Sequence, residues 1–537
     1  MSPNPKTGKY DVIIVGGGHN GLVAASYLAR AKHSVLVLER RSILGGACVT
    51  EEIHPGFRCS TTSYVCSLLR PRIIRELELA KHGFELLPCD TSFVPLPDGR
   101  HILLGLGERE DAEQIAKFSR RDAEAYPRFE AAMQRLADFL RPTLDVAPPD
   151  LVSPGPSGLL ELMRLGLRLK RLGSADQALL IKVLTMSVAS LLDEWFESPE
   201  IKAMLAGSGT IGIYGGPSTP GTAFVLLHHL LGEAGGEPGA WGFVRGGMGG
   251  VTQALASVAR SEGAELRTDA QVARIRVENG VANGVVLESG EEIAARAVAS
   301  NADPKRTFLQ LVEPADLPDE FRAGIENFRC VGNSGKVNLA LSELPDFTSL
   351  PGDGPHQRGT IQIAGGEMAY LERAFHDYTQ GRPSRQPYME IVIPSTVDDT
   401  LCPPGNHVLT ISIKYLPRHP VDGEWKNRKQ ELCDLAISTL AEFAPNFPDA
   451  VIGSHAVTPE CIEEVYGISG GNVFHGDMAA DQLFTQRPLF GWSRYRTPVR
   501  HLYLCGAGAH PGGGVMGAAG RSASVEIQKD LRRGRFA

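Results

Sequence analysis

Apolar and small residues at the start of the chain follow a pattern that predicts three elements. Val12–Val15 is a β-branched run, Leu22–Ala31 favours helix, and Val35–Leu38 is a second apolar run closed by Glu39. Short unbroken apolar runs bounded by glycine suit strands covered on both faces, so the order reads strand, helix, parallel strand. The pattern changes further along. From Gly246 a glycine turn opens a helix, and Val272, Ile275 and Val277 are joined to Val281–Leu287 through Glu278-Asn279-Gly280, a hairpin signal. A run ending at Ala299 leads into Ser300-Asn301-Ala302-Asp303. Residues 501–531 read as strand, glycine-rich loop, and a helix from about Gly514. Between these segments lie helical stretches around Asp111–Phe139 and Leu159–Phe196, and strand-like runs such as Leu409–Tyr415.

The turn after the first strand carries Gly16, Gly18 and Gly21 in GxGxxG spacing. Within a βαβ unit each has a physical task. Gly16 permits the tight turn, Gly18 lets a pyrophosphate approach the backbone, and Gly21 lets helix and strand pack closely. The helix N-terminus then presents free N–H groups and a favourable dipole to the phosphates. Glu39, eighteen residues past Gly21, accepts hydrogen bonds from ribose hydroxyls and repels a 2′-phosphate. The same spacing recurs at Gly207–Gly212, but it follows the helix-like SPEIKAMLA instead of a strand. It reads as a loop, so no second nucleotide-binding unit is expected.

Composition narrows the classes. At 537 residues, with 42% hydrophobic and 22% charged positions, the chain has globular character, and a formal charge of -8 gives no positive field for nucleic acid. No apolar run approaches the roughly 18 residues of a membrane span. The nine residues before Tyr10 contain neither an apolar signal core nor an Arg-rich presequence, so the chain as given reads as cytoplasmic. Nine cysteines form no CxxC and no CxxxxC pair. Structural zinc, a disulfide framework and a dithiol relay are not expected, and no metal site is assigned.

Several strings carry a resemblance: GGGHNGLVAA, the acid-then-Gly45-Gly46 pattern in ERRSILGGACVTEE, FRCSTTSYV, LLDEWFE, GNVFHGDM and HPGGGVMGAAGR. Together they resemble the FAD-dependent amine oxidase superfamily, in its branch of carotenoid desaturases and desaturase-type β-carotene ketolases. The resemblance implies an α/β fold, with a Rossmann-like FAD-binding domain of the glutathione reductase/amine oxidase type interrupted by a mixed α+β substrate domain. Residues 1–80, 240–310 and 495–537 would form the FAD domain, and 81–239 and 311–494 the substrate domain. It further implies cofactor contacts at His19, Asn20, Arg40, Gly45, Gly46, Ala47, Val272, Ser300, Asn301, Gly506, Gly508, Val515 and Met516. Tyr64, Trp241, Arg245, Phe474, His475 and His510 flank the motifs and are candidates for the substrate pocket.

The implied activity is hydride transfer from a hydrophobic, isoprenoid or carotenoid-like small molecule to flavin N5, with no individual catalytic residue assigned. A flavin-assisted double-bond isomerase and a non-catalytic FAD protein that binds a partner remain alternatives, and a homodimer is left open. The resemblance places a eukaryotic member in the mitochondrial matrix. Residues 158–173 interleave leucines with Arg164, Arg168, Lys170 and Arg171. That pattern suits either a helix lying on an anionic membrane surface or one packed on the core with a solvated basic face.

Overall fold

The computed structural model describes residues 9–532. The outer ends of the 1–80 and 495–537 segments, including most of the stretch read for a leader, lie outside the described residues. The first sheet begins with β1 (Lys9–Val15), crosses through α1 (His19–Arg30), and returns as β2 (Val35–Leu38) in parallel to β1. After the first insertion, α2 (Gly249–Ser261) leads to β3 (Glu265–Arg267), which pairs in parallel with the far edge of β2. The hairpin β4 (Val272–Glu278) and β5 (Val281–Leu287) then feeds β6 (Glu292–Ser300). The strand order is β3-β2-β1-β6-β5-β4.

The long strand β6 explains how three separated segments make one sheet. One edge runs in parallel with β1, from Lys9 opposite Ala294 to Val15 opposite Ser300. Its other edge is divided: the first half takes the hairpin, and Val298–Ser300 pair with β7 (Leu502–Leu504). Val12, Ile13, Val37, Ala297 and Val298 are fully buried. Each large aliphatic side chain so covered contributes about 1.5–3 kcal/mol.

Residues 311–328, grouped on sequence with the substrate region, depart from that expectation. Leu311, Phe321 and Ile325 join the core of this first sheet, because the helix Asp319–Asn327 turns its apolar side onto it. The closing helix α3 (Ala518–Arg532) starts four residues later than expected. Gly514 and Gly517 have φ of +104° and +73°, which a right-handed helix does not accommodate.

The second sheet draws on both insertions. Its order by residues is 451–457, 334–341, 407–414, 389–392, 360–363, 92–95 and 101–104. All neighbours are antiparallel except 360–363 against 92–95. Helices of the first insertion, including Arg120–Leu140, Ser174–Thr185, Val188–Trp195 and Thr222–His229, gather around a separate apolar core. Ser119 caps the first of these through the Asp122 N–H, and Gly173, at φ +81°, separates the helix Pro156–Arg171 from the next.

Candidate functional site: a dinucleotide cradle joined to a buried lysine face

One cavity runs between the two sheets, from Gly16, Gly18 and Glu39 at one end to Tyr64, Lys336 and Lys414 at the other. At the first end the backbone geometry requires glycine. Gly16 has φ +97°, and a Cβ on Gly21 would stand 2.3 Å from the Gly16 carbonyl oxygen. Gly45 (φ +133°) donates its N–H to the Gly17 carbonyl, so the Gly45-Gly46 turn lies directly on the first loop. The start of α1 has no side-chain cap and no acidic residue in its first turn. Its orphan N–H groups and positive dipole end are thus left for a ligand anion.

Glu39 is only 5% exposed and accepts from the Gly17 N–H at 2.8 Å and the Arg41 N–H at 3.0 Å. Each carboxylate oxygen keeps acceptor capacity for a ribose hydroxyl. Arg40 donates to the carbonyls of Glu464 and Val465 on the cavity rim. Ala47, Val272 and Asn301 complete this part of the wall, and Asn301 Nδ2 donates to the Gly16 carbonyl at 3.3 Å. This cradle fits an adenine dinucleotide.

Five residues expected at the cofactor do not line the cavity. The Ser300 hydroxyl is buried against Thr307 Oγ1 at 2.7 Å. Gly21 serves helix–strand packing. Gly506 and Gly508 flank the lining residue Ala507 and are glycines for another reason: a Cβ would meet the Asn301 carbonyl at 2.5 Å or the Pro304 ring at 2.2 Å. Met516 packs with Leu68 and Ala518, while its neighbour Val515 reaches the cavity. Asn20 lines the wall, and its Oδ1 accepts from the Gly520 N–H, tying α1 to α3.

The middle of the cavity is where the N-terminal and C-terminal motifs meet. His19 contacts the Gly514 backbone and faces His475; burial lowers its pKa to about 4, and its Nε2 has no hydrogen-bond partner. His475 is also held neutral by burial. Phe474 packs against Gly212 and Gly513, where a Cβ would come within 2.6 and 2.2 Å of its ring. The fully buried Arg487 secures this loop by donating to the carbonyls of Phe474 (2.7 Å), Asp477 (3.0 Å) and Ala507 (3.0 Å).

Tyr64, Trp241, Phe474 and His475 line the cavity, but two pocket candidates do not. Arg245 lies at the surface, paired with Asp399 at 2.8 Å and Glu85 at 3.8 Å. His510 turns away: its Nε2–H donates to the Thr143 carbonyl at 2.9 Å, beside Leu140, Phe224 and Phe484 in a separate small cavity.

The polar face of the second sheet escaped sequence reasoning. Ser334, Lys336, Ser412 and Lys414 all line the cavity. Tyr64 donates its hydroxyl to the carboxylate of Glu390, itself 1% exposed, and the Lys336 ammonium lies 3.1 Å from the Tyr64 ring centroid. Burial pushes Lys414 down to about 8 and Lys336 well below the usual lysine range, with the neighbouring Lys414 charge adding to the latter. The available signal was the alternation Thr410, Ser412, Lys414 with Leu409, Ile411, Ile413. It resembles an ordinary half-solvated strand.

The second GxGxxG string closes the helix Pro199–Ser208 and continues as a turn. Gly207 is there for Tyr388, whose hydroxyl would stand 2.2 Å from an added Cβ, and Gly209 for Val188. All nine cysteines are free thiols; burial raises both Cys48 and Cys66 to about 12, which disfavours a reactive thiolate.

The model of flavin-containing amine oxidoreductases matches residues 21–527. Over 98% of this chain and 94% of the relative, 43% of residues are identical to pyridine nucleotide-disulfide oxidoreductase domain-containing protein 2 of Rattus norvegicus. One of the polypeptides of limonene dehydrogenase from Castellaniella defragrans is 26% identical over 97% of this chain and 95% of that one. An oxidoreductase structure from Methanosarcina mazei shares the fold at a TM-score of 0.62, with 16% identity over 97% of this chain and 100% of that one. With its dinucleotide cradle and this likeness over nearly its whole length, the chain belongs to the flavin-containing amine oxidoreductase family and is an FAD-dependent oxidoreductase.

Proposed function

We propose that the protein oxidises a hydrophobic, isoprenoid-like small molecule held between the FAD cradle and the second sheet. The observation that carries this reading is the continuity of the cavity wall, in which Tyr64, Val65, Ile211, Trp241 and Phe474 adjoin the dinucleotide residues. The naming of one relative as a dehydrogenase of limonene, an apolar isoprenoid, supports the same substrate class.

FAD, when bound, supplies the hydride acceptor. Gly16, Gly18 and the start of α1 hold its phosphates, and Glu39 its ribose. The aromatic side chains exclude water and orient the substrate, and alignment of this kind supplies much of the acceleration in hydride transfer. No ionised residue is required at the reacting carbon, in keeping with His19 and His475 being neutral. Anaerobic titration of the purified flavoprotein with a lipid extract tests the reading. Bleaching of the flavin bands by the extract, with NADH inert, is the expected result; rapid reduction by NADH or indifference to the extract would overturn it.

We also infer a peripheral contact with membranes. Among the described residues no helix is long and apolar enough to cross a bilayer. The helix Pro156–Arg171, however, leaves Leu159, Leu160, Met163 and Leu167 exposed among basic residues, with the neighbouring Leu151 and Val152 exposed as well. Exposed apolar residues interleaved with cations favour an anionic lipid surface over a packed core.

A further inference from the structure

The helix Thr222–His229 is buried along its whole length and ends in two histidines that face different spaces. Their ring planes stand at 89° to one another, with centroids 5.7 Å apart. His228 lines the small cavity that also holds His510. His229 lines the large one beside Trp241, with ring centroids 6.2 Å apart.

The helix also fixes which nitrogen of His229 carries the proton. Nδ1 lies 2.8 Å from the Val225 carbonyl oxygen, one turn earlier. A carbonyl oxygen only accepts, so Nδ1 is the protonated nitrogen and Nε2 keeps a bare lone pair. No described residue hydrogen-bonds Nε2, and the cavity lies on that side of the ring. Burial, helped by the Lys414 charge, lowers the pKa of the ring to about 4, so His229 stays an acceptor at neutral pH. The groups around this acceptor are of the opposite kind. Trp241 carries an N–H donor and Lys414 an ammonium, and both line the cavity. The Tyr64 hydroxyl is committed to Glu390. A ligand group placed here gains most when it can donate to Nε2 and still accept from a neighbouring donor. A hydroxyl does both. An ether only accepts, and an ammonium only donates and is repelled by Lys414.

We propose that His229 Nε2 accepts a hydrogen bond from a hydroxyl on the substrate, so that the substrate is an apolar alcohol and His229 is the residue that selects it. The inference deepens the proposed oxidation of a hydrophobic, isoprenoid-like molecule and rests on that reading for the apolar remainder of the substrate. Its test reads equilibrium binding only, so it stands apart from whether the flavin is reduced.

Calorimetric titration of the FAD-loaded protein with farnesol, farnesyl methyl ether and farnesylamine compares the three groups on one apolar chain. Farnesol is expected to bind about 3- to 10-fold more tightly than the ether, the range of a neutral hydrogen bond, and more tightly than the amine. His229→Phe should abolish the preference over the ether while leaving the affinity of the ether unchanged. His229→Gln, which restores an acceptor oxygen, should recover part of the preference. Equal affinity for alcohol and ether, failure of the alcohol to bind, or tighter binding of the amine overturns the proposal in the unmodified protein, without reliance on any variant. So does a folded His229→Phe protein that keeps the preference. Failure of the oxidoreductase reading has a separate signature: farnesol binds with the expected preference, yet neither it nor a lipid extract reduces the flavin.

Discussion

The two sheets use buried polarity in opposite ways. In the dinucleotide cradle the polar groups are backbone N–H donors and one carboxylate whose oxygens already hold two of those donors in place. In the second sheet they are long side chains on neighbouring strands, and the lysine at their centre has no hydrogen-bond partner. A backbone site is prepared by chain geometry and survives most side-chain exchange, whereas a side-chain site stores unfavourable desolvation that a ligand can relieve. The cradle therefore depends on backbone shape, and the lysine face on the side chains it carries.

The sharpest way to break the contrast is at the cradle. Gly21→Val places side-chain atoms where only 2.3 Å separates a Cβ from the Gly16 carbonyl. The purified variant should lose its flavin absorbance, with FAD affinity falling by about 100-fold or more. Retention of flavin at wild-type stoichiometry would show that the turn is less constrained than its geometry indicates.

Arg487 ties the loop of Phe474 and Asp477 to Ala507 in the C-terminal glycine-rich motif. Replacing it with Met leaves the carbonyls of Phe474, Asp477 and Ala507 buried without their donor. We expect a loss of about 3 kcal/mol or more in denaturant unfolding. A change below about 1 kcal/mol would mean that water takes over the network.

The lysine face predicts a distinctive pH dependence. The folded pKa of Lys414 is lowered to about 8 from 10.5, so between those values the unfolded chain holds more protons than the folded one. Stability must then rise with pH across that window, by on the order of 3 kcal/mol for this residue. Below pH 8 its unfavourable contribution is complete and constant. Subtracting the pH profile of Lys414→Met from that of the wild type isolates the slope; identical profiles would place its ammonium in a well-solvated environment.

The smallest expected effect concerns the exposed helix. Replacing Leu159, Met163 and Leu167 together by Ser should weaken co-sedimentation with anionic phospholipid vesicles by several-fold, roughly the loss of partial insertion of three apolar side chains. Turnover of a water-soluble electron donor should be unaffected. Equal sedimentation of the variant and the wild type would remove the membrane contact.

Much of the cradle was legible before any coordinates. Gly16, Glu39 and the strand–helix–strand pattern depend on neighbours within thirty residues, where covalent geometry and φ preference limit the alternatives, whereas Gly18 was legible from the motif although a Cβ there would meet the distant Asn301 Nδ2 at 2.8 Å. Gly45 and Gly46 were legible through resemblance. Gly506 and Gly508, implied at the cofactor by the same resemblance, lie outside the cavity wall, where an added Cβ would meet the Asn301 carbonyl and the Pro304 ring. Local patterning misplaced Arg245 and His510, because adjacency to a motif does not determine a side chain's direction.

The sequence by itself determined the class of fold, the cofactor motif and the periodicity of the strands. Those properties follow from local sterics and from the need to cover apolar surface. Only the tertiary structure decided that the polar edge of Lys336, Ser412 and Lys414 meets the cavity instead of water. The alternation of polar and apolar residues is the same in either case, and solvent is excluded by segments far apart along the chain. The charge imbalance at the lysine face arises from that closure.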